Sequence, residues 1–267
     1  MRKLTLEEYK SRVLNVLIKI DDICRKNNFN YAICYGTLLG AVRHQGFIPW
    51  DDDIDIVMPR KDYYLLGKYI INHPEVKLNY IDISNREDTI YYCAKICDPD
   101  TYVKESDFKH VDGYGAFVDV FPLDYLPDDS KKRHDYIKRG LYLERLAQHG
   151  SRLKAGSSNN IKQNILLKAS FIYSHLFNPS NIIKKMHKKF IEFDKKPTNY
   201  IGVPYEFCYF RPEWFNELVE LNFENHKFLA PKYYDDVLRS SYGNYLELPP
   251  ASERVYKHHL ECFQITE

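Results

Sequence analysis

The stretch YGTLLGAVRHQGFIPWDDDIDI, residues 35–56, joins a short helix to a strand and decides which fold we expect. An apolar, partly β-branched run at residues 31–35 leads into Gly36 and Thr37, which predicts a strand followed by a sharp turn. Thr37 is expected to cap a helix over residues 38–44. The stretch therefore predicts a strand, a short helix and a second strand in immediate succession.

Two carboxylates stand side by side at the end of this stretch. Apolar and acidic residues alternate over residues 54–58, which predicts a strand, and residues two apart project from one face, so Asp53 and Asp55 point the same way. Close carboxylates repel each other unless a cation takes up the charge, and hard oxygen ligands suit Mg²⁺ or Mn²⁺, which also bind diphosphates. The run therefore predicts a metal site, with a solvated acidic turn as the alternative.

A third carboxylate is predicted on another strand. Residues 116–121 alternate again and place Asp119 between Val and Phe residues, where an unpartnered charge is unfavourable. Acidic residues that converge from two strands are what a one- or two-metal phosphoryl-transfer centre needs. Asp119 on a solvated edge strand is the alternative, and Asp112 and Asp124 are possible substitutes for it.

Groups that bind phosphate are expected next to these carboxylates. Gly36 and Thr37 at a helix start offer backbone N–H groups and a hydroxyl. Arg43 and Lys95 are candidates to neutralise phosphates, and each has a surface ion pair as its alternative. The sequence contains neither G-x-x-x-x-G-K-[ST] nor G-x-G-x-x-G, so P-loop and dinucleotide-binding folds are unsupported.

The composition is that of an ordinary folded protein, with 44% hydrophobic residues and 38 Lys+Arg against 37 Asp+Glu. It excludes disordered, collagen-like and disulfide-scaffold classes. The charge is uneven, because residues 131–196 carry sixteen basic and four acidic residues, and this block is expected to meet something anionic or to cover the acidic body. We find no signal peptide or transmembrane segment and expect a cytoplasmic protein.

Hydrophobic periodicity predicts the remaining elements. A helix over residues 6–27 is expected to begin with a capping box between Thr5 and Glu8. The strand at 116–121 is expected to end at Pro122. Further helices are predicted at 62–72 and 232–242, with three in the basic block that are broken at 156–158 and 178–179, and further strands at 77–83 and 91–96.

Several of these motifs together resemble the signature of a known family. Residues 35–44 and 46–56 closely resemble the signature of the LicD family of phosphotransferases, a branch of the nucleotidyltransferase superfamily that includes fukutin-related protein. The resemblance continues at FVDVFPLD (117–124), YGNY (242–245), Pro249-Pro250 and His258-His259. It implies an α+β fold with a nucleotidyltransferase-like mixed β-sheet flanked by helices. We expect a catalytic core over 1–130, a mostly helical basic segment over 131–200, and a C-terminal segment over 201–267 that packs on the core.

The resemblance also implies an activity. Members of the family transfer a substituted phosphate from a CDP-linked donor, usually CDP-choline in bacteria, to a sugar hydroxyl of a teichoic acid, capsule or lipopolysaccharide, and release CMP. In this sequence Asp53, Asp55 and Asp119 match the metal carboxylates of the superfamily, with Mg²⁺ or Mn²⁺ as the cofactor. Gly36 and Thr37 match its phosphate-binding turn.

Other residues and a membrane contact follow from the same resemblance. Arg254 and His258 are expected to line the nucleotide or acceptor end of the site, with a solvated C-terminal tail as the alternative. A lipid-linked glycan acceptor would lie at the inner membrane face, where the basic block is expected to make a peripheral contact. The apolar residues that would add to this contact, or else pack on the catalytic domain, are Ile165, Leu166, Phe171, Ile172, Leu176 and Phe177.

Two other functions compete with this interpretation. Asp53-Ile54-Asp55 also satisfies the D-x-D motif of metal-dependent glycosyltransferases, although such motifs usually follow a longer nucleotide-binding region. The basic block would suit a nucleic-acid-binding protein, but that function leaves the aspartates without a purpose. We therefore expect no nucleic-acid partner.

Overall fold

A computed structural model describes residues 1–105, 107–193, 196–256 and 260–265 of the chain. Helices and strands form an α+β arrangement with a mixed sheet at its centre, as predicted. No helix in these ranges combines the length and the apolar character needed to cross a membrane. His258 lies outside the described residues.

Each predicted helix is present in the described ranges. They are α1 (Leu6–Asn27), α2 (Tyr35–His44), α3 (Arg60–Asn72), α4 (Ser130–Ser151), α5 (Ile161–Ser174), α6 (Pro179–Phe190) and α7 (Tyr234–Tyr242). Helix α1 buries Val13, Leu17 and Ile20 almost completely. Its predicted capping box is confirmed, because the Glu8 N–H donates to Thr5 Oγ1 at 3.2 Å and the Thr5 N–H donates to Glu8 Oε2 at 2.8 Å.

The strands form three sheets. They are β1 (Arg2–Lys3), β2 (Ala32–Ile33), β3 (Asp55–Pro59), β4 (Asn79–Ile81), β5 (Ala94–Cys97), β6 (Thr101–Glu105), β7 (Phe117–Leu126), β8 (Tyr200–Gly202), β9 (Tyr209–Phe210), β10 (Leu218–Phe223), β11 (His226–Pro231) and β12 (Leu260–Gln264). The largest sheet has the order β2-β3-β7-β5-β4, with β8 beside β7 and β9 beside β8. Strands β3 and β7 are parallel and the other pairs are antiparallel, so the sheet is mixed.

Strand β7 is longer than predicted, because Pro122 does not end it. The Asp119 N–H donates to Ile54 O on the β3 side. Because the backbone N–H groups of successive strand residues point to opposite edges, the nitrogen of Pro122 faces the edge away from β3. On that edge β5 pairs with β7 as far as Val120, and β8 pairs with it only from Asp124. Pro122 therefore lies in a gap between two partner strands, where no hydrogen bond from its nitrogen is needed.

Helix α2 begins at Tyr35, earlier than predicted, and Thr37 is not its N-cap. Cys34 takes the N-cap position without a side-chain hydrogen bond. The Thr37 hydroxyl is instead used across the turn, where it accepts the Asp55 N–H at 2.8 Å. The predicted strands at 31–35, 77–83 and 91–96 are shorter in the structure, where they are Ala32–Ile33, Asn79–Ile81 and Ala94–Cys97.

The three predicted helices of the basic segment are present, and α4 and α6 pack on the core. A second hydrophobic cluster joins Ile183, Met186 and Phe190 of α6 to Tyr92. Beside it Arg60 Nε donates to Asp124 Oδ1 at 2.8 Å, and the Tyr92 hydroxyl donates to Asp124 Oδ2 at 3.0 Å. Asp124 is fully buried in this network, so it is part of the packing between β7 and the helices.

Candidate functional site

Three charged residues form a row across the central strands. The register of β3 and β7 pairs Asp55 with Asp119, and the register of β7 and β5 pairs Asp119 with Lys95. Paired residues on neighbouring strands project from the same face of a sheet, so the row presents its side chains together. The predicted convergence of Asp55 and Asp119 from two strands is thus found, with Lys95 as a third member.

Lys95 and Asp119 form an ion pair inside this row. Lys95 Nζ lies 2.7 Å from Asp119 Oδ1, and the lysine side chain is 7% exposed. Burial disfavours the charged ammonium, but the Asp119 carboxylate and its neighbours outweigh this effect and raise the pKa of Lys95. The Nζ atom also lies 3.9 Å from the centroid of the Phe117 ring and 4.5 Å from that of Tyr91. Lys95 therefore stays charged and fixed beside Asp119.

Asp55 has the opposite environment. Burial raises the pKa of its carboxyl well above the usual value, and the negative charges of Asp53 and Asp119 raise it further. Its side chain nevertheless keeps some contact with solvent, as do those of Asp53 and Asp119. Crowded carboxylates at the bottom of an open site favour a bound cation, which would relieve their repulsion.

The first turn of α2 is strained and lies close to Asp51. Tyr35 has a φ of 48°, a left-handed conformation that is uncommon for a bulky residue and that clusters at functional sites. A Cβ atom on Gly36 would lie 2.9 Å from Asp51 Oδ2, so only glycine admits this approach. Thr37 is 2% exposed and bonded to Asp55, and its predicted contact with a phosphate stays a prediction.

Arg43 lines a cleft of about 640 Å³ whose walls also include Gly36, Trp50 and Asp51, and Arg254 lies over the Trp50 ring. Arg43 donates to the carbonyl oxygen of Tyr245 at 3.0 Å, which ties the C-terminal segment to α2. Burial lowers the pKa of Arg43, and the positive charge of Arg254 contributes to the shift. The guanidinium carbon of Arg254 lies 5.7 Å from the Trp50 ring centroid. Two cations thus lie beside one cleft that reaches Gly36.

A buried hydroxyl gives a test of whether the carboxylates fit a metal ion. The described ranges contain no group of three or more His, Cys, Asp or Glu residues arranged to hold a metal by themselves. The Tyr9 hydroxyl, however, is buried without a hydrogen-bond partner in the described part of the chain. Burial raises its pKa, and so do the charges of Asp52, Asp53 and Asp119 nearby. An unpaired donor beside carboxylates fits a hydrated Mg²⁺ that takes one or two protein ligands and completes its shell with phosphate and water.

Two glutamates beside the row were not predicted from the sequence. Glu206 is close enough to Asp55 to raise its pKa, and burial raises the pKa of Glu206 itself. Glu144 on α4 lies near Glu206, and burial raises its pKa to about 7. Neither carboxylate has a basic partner within ion-pair distance among the residues that the structure describes.

Aromatic side chains lie near these two carboxylates. Tyr35 and Phe121 meet edge to face with their ring centroids 5.5 Å apart, and both rings stay partly exposed. Burial raises the pKa values of Tyr35 and Tyr205, and the negative charge of Glu206 raises both further. The charge of Glu144 also raises the pKa of Tyr205. Of this group, the sequence indicated only Phe121, because residues two apart on a strand share a face and Phe121 follows Asp119 by two. The glutamates come from distant segments, and no local pattern marks them.

Comparisons with known proteins show which proteins this chain is similar to. Residues 28–139 match a family model described as LicD/FKTN/FKRP, nucleotidyltransferase domain. The chain is 28% identical over 275 residues to the lipopolysaccharide cholinephosphotransferase LicD of Haemophilus influenzae, with 98% of this chain and 99% of that protein covered. Uncharacterized proteins of Rickettsia typhi and Rickettsia prowazekii are each 46% identical over 63 residues, or 23% of this chain. The matched domain includes the row of Asp55, Asp119 and Lys95.

Proposed function

Because this chain belongs to the LicD family, we propose that it transfers phosphocholine, or a similar substituted phosphate, from a CDP-linked donor to a sugar hydroxyl of a cell-surface glycan precursor. The observation that carries this proposal is the row of Asp55, Asp119 and Lys95 beside the start of α2. Phosphoryl transfer depends mainly on positioning and on electrostatic stabilisation of phosphate charge, and this row supplies both signs of charge on one face of the sheet.

Each residue of the row has a distinct role in the proposed reaction. The sugar oxygen attacks the phosphorus that carries the choline group, the bond from that phosphorus to the bridging oxygen breaks, and CMP leaves. Asp119 accepts the proton of the sugar hydroxyl or is a metal ligand, and Lys95 neutralises the phosphate beside it. Asp53 and Asp55 would hold Mg²⁺ or Mn²⁺, which supplies stabilisation of the charge that develops on the diphosphate.

The cleft beside Gly36 would hold the nucleotide end of the donor. Arg43 and Arg254 place two guanidinium groups near the turn before α2, where backbone N–H groups also favour phosphate oxygens. His258 stays a prediction for this end of the site. A lipid-linked glycan would approach from the open side on which Asp119 keeps its solvent contact.

The choline group would lie against Tyr35, Phe121 and Tyr205. A quaternary ammonium has no N–H groups and is bound by aromatic faces and by nearby negative charge, at about 0.5–2 kcal/mol for each favourable ring. Glu206 and Glu144 provide half-buried carboxylates whose charge a bound cation would stabilise. Glycerol and ribitol carry no cation, so this wall favours choline over them.

A donor panel tests the proposal. Purified protein with Mg²⁺ and a glycan acceptor is expected to release CMP from CDP-choline faster than from CDP-glycerol or CDP-ribitol. No UDP should form from UDP-sugars. Release of UDP together with inert CDP-choline would support the glycosyltransferase alternative and overturn the proposal.

A further inference from the structure

Helix α5 and the residues that flank it expose more large apolar side chains than any other described segment of comparable length. The exposed fractions are 77% for Ile161, 64% for Ile165, 70% for Leu166, 66% for Ile172 and 73% for Leu176. Leu153, Tyr173 and Phe177 are also exposed. Folded proteins seldom leave a contiguous apolar patch of this kind uncovered unless it binds something.

The helix is well formed, although it buries little. The Asn160 side chain caps its first turn by accepting the N–H groups of Lys162 and Gln163. One of its contacts with α4 is polar, with 3.2 Å between His149 Nδ1 and Ser170 Oγ. Ser174 is the one residue of α5 that is fully buried. Phe171 is half-buried, but the other apolar residues predicted either to bind a membrane or to pack on the catalytic domain are exposed and do not attach α5 to the core: Ile165, Leu166, Ile172, Leu176 and Phe177.

Helix α6 contrasts with α5. It buries Ile182, Ile183, Met186 and Phe190 against the core and turns its lysines outward, and Lys184 pairs with Glu87 at 3.0 Å. The lysines of α6 thus belong to a solvated helix face. Within the described part of the basic segment, the exposed apolar side chains are therefore concentrated on α5 and its flanks.

The charge around α5 indicates which partner fits this surface. Residues 145–191 contain nine Lys and Arg residues and no Asp or Glu. Two copies of this chain packed through α5 would bring positive charges together, which is unfavourable. A negatively charged surface with an apolar interior matches both the lysines and the apolar side chains.

We propose that α5, with its flanking residues 153–177, binds the surface of an anionic lipid bilayer. The 14 residues of α5 span about 21 Å, less than the ~30 Å hydrocarbon core, so the helix lies in the plane of the interface with its apolar side chains between the head groups. Lys162 and Lys168 reach the lipid phosphates, whereas Lys154 pairs with Asp107 at 3.0 Å. Bilayer binding is separate from the chemistry, and the proposed function would stand if it failed.

Vesicle sedimentation tests the proposal with the full-length protein. At low salt, wild type is expected to bind phosphatidylcholine vesicles that contain phosphatidylglycerol and to bind pure phosphatidylcholine vesicles much more weakly. The triple variant Ile165→Asn/Leu166→Asn/Ile172→Asn should weaken binding on the order of a hundredfold. Lys162→Gln/Lys168→Gln should weaken it about fivefold for each lysine removed.

Matched controls separate binding from folding. Ile71→Asn/Ile265→Asn changes two apolar residues that are 52% and 44% exposed elsewhere, and it should bind vesicles as wild type does. All variants should unfold at the temperature of wild type, because the altered side chains are exposed. Absence of wild-type binding to anionic vesicles would overturn the proposal. A wild-type dimer that the triple variant converts to a monomer, without vesicle binding, would overturn it in favour of self-association.

Discussion

Asp55 and Asp119 face each other across one strand pair, yet their charges are met in different ways. Asp119 has the Lys95 ammonium at 2.7 Å, whereas Asp55 has burial and two neighbouring carboxylates that raise its pKa. The ionised form of Asp55 is therefore costly until a cation arrives. The two residues should respond differently to the same substitution.

Asp55→Asn and Asp119→Asn are each expected to lower kcat on the order of a thousandfold, because each removes a carboxylate from the reacting centre. Their stabilities should diverge. Asp55→Asn should unfold at or above the wild-type temperature, since it removes carboxylate repulsion. Asp119→Asn leaves the buried Lys95 ammonium unpaired, at a cost of about 3 kcal/mol.

The double variant Asp119→Asn/Lys95→Met separates the two effects. It should recover much of the lost stability while activity stays low, as measured by urea unfolding and CMP release. Asp112→Asn, on an exposed loop, is the matched control and should resemble wild type. Normal turnover in Asp55→Asn or Asp119→Asn would remove that residue from the site.

Glu144 makes stability depend on pH. Its pKa is raised by burial from 4.5 to about 7, so the folded protein binds this proton more tightly than the unfolded chain does. The resulting stabilisation is complete below the unfolded pKa and is lost as pH rises through about 7. The free energy of unfolding should fall by about 1–3 kcal/mol more in wild type than in Glu144→Gln between about pH 5 and about pH 8.

The same titration has a functional readout. Ionised Glu144 binds the choline cation better than the neutral acid does, so KM for CDP-choline should fall over this pH interval in wild type and much less in Glu144→Gln. Identical pH dependence of unfolding in the two proteins would show that Glu144 has an ordinary pKa. An unchanged KM profile would separate Glu144 from the donor.

At the scale of elements, α2 and the turn before it bring Asp51 to the helix start. Gly36→Ala should lower kcat about tenfold or more, because its Cβ would lie 2.9 Å from Asp51 Oδ2 and would displace that carboxylate. Stability should change little, since alanine favours a helix over glycine by about 1 kcal/mol. In the control Gly156→Ala the nearest atom lies at 3.5 Å, and activity should be unchanged. Full activity of Gly36→Ala would show that Asp51 can move without consequence.

Strand β7 contains Asp119, which belongs to the candidate site, and Asp124, which forms a buried ion pair with Arg60. Asp124→Asn should destabilise the protein by about 3–5 kcal/mol in urea unfolding, because it leaves the buried guanidinium of Arg60 without its carboxylate. The rate per folded molecule should stay near that of wild type. Lost activity at unchanged stability would instead make Asp124 the third carboxylate of the site.

Helices and strands were predictable from the sequence where the residues that determine their ends lie within the same segment. Helix α1 and the three basic helices were predicted, since caps, breaks and apolar spacing lie within each segment. The extent of β7 was not, because Pro122 is tolerated only where β5 ends before β8 begins. The start of α2 was missed because Thr37 bonds to Asp55 on another element.

In the whole molecule, the near-zero net charge is the sum of two separate regions of opposite charge. One is the acidic centre between β3 and β7, and the other is the positive, apolar surface of α5. Asp55 and Asp119 were predictable because acidic and apolar residues alternate in the sequence of β3 and β7. Glu206, Glu144 and the Tyr9 hydroxyl were not, because long-range packing alone brings them to the site.

In the proposed reaction, carboxylates at the β3–β7 pair carry a metal-dependent transfer of phosphocholine. The most direct measurement follows CMP and labelled phosphocholine on the glycan at the same time, with CDP-choline as donor, before and after addition of EDTA. We expect equal amounts of both products with Mg²⁺, loss of both in EDTA and recovery when Mg²⁺ is restored, with no recovery in Asp55→Asn. Full turnover in excess EDTA, or CMP formed by Asp55→Asn at the wild-type rate, would contradict it.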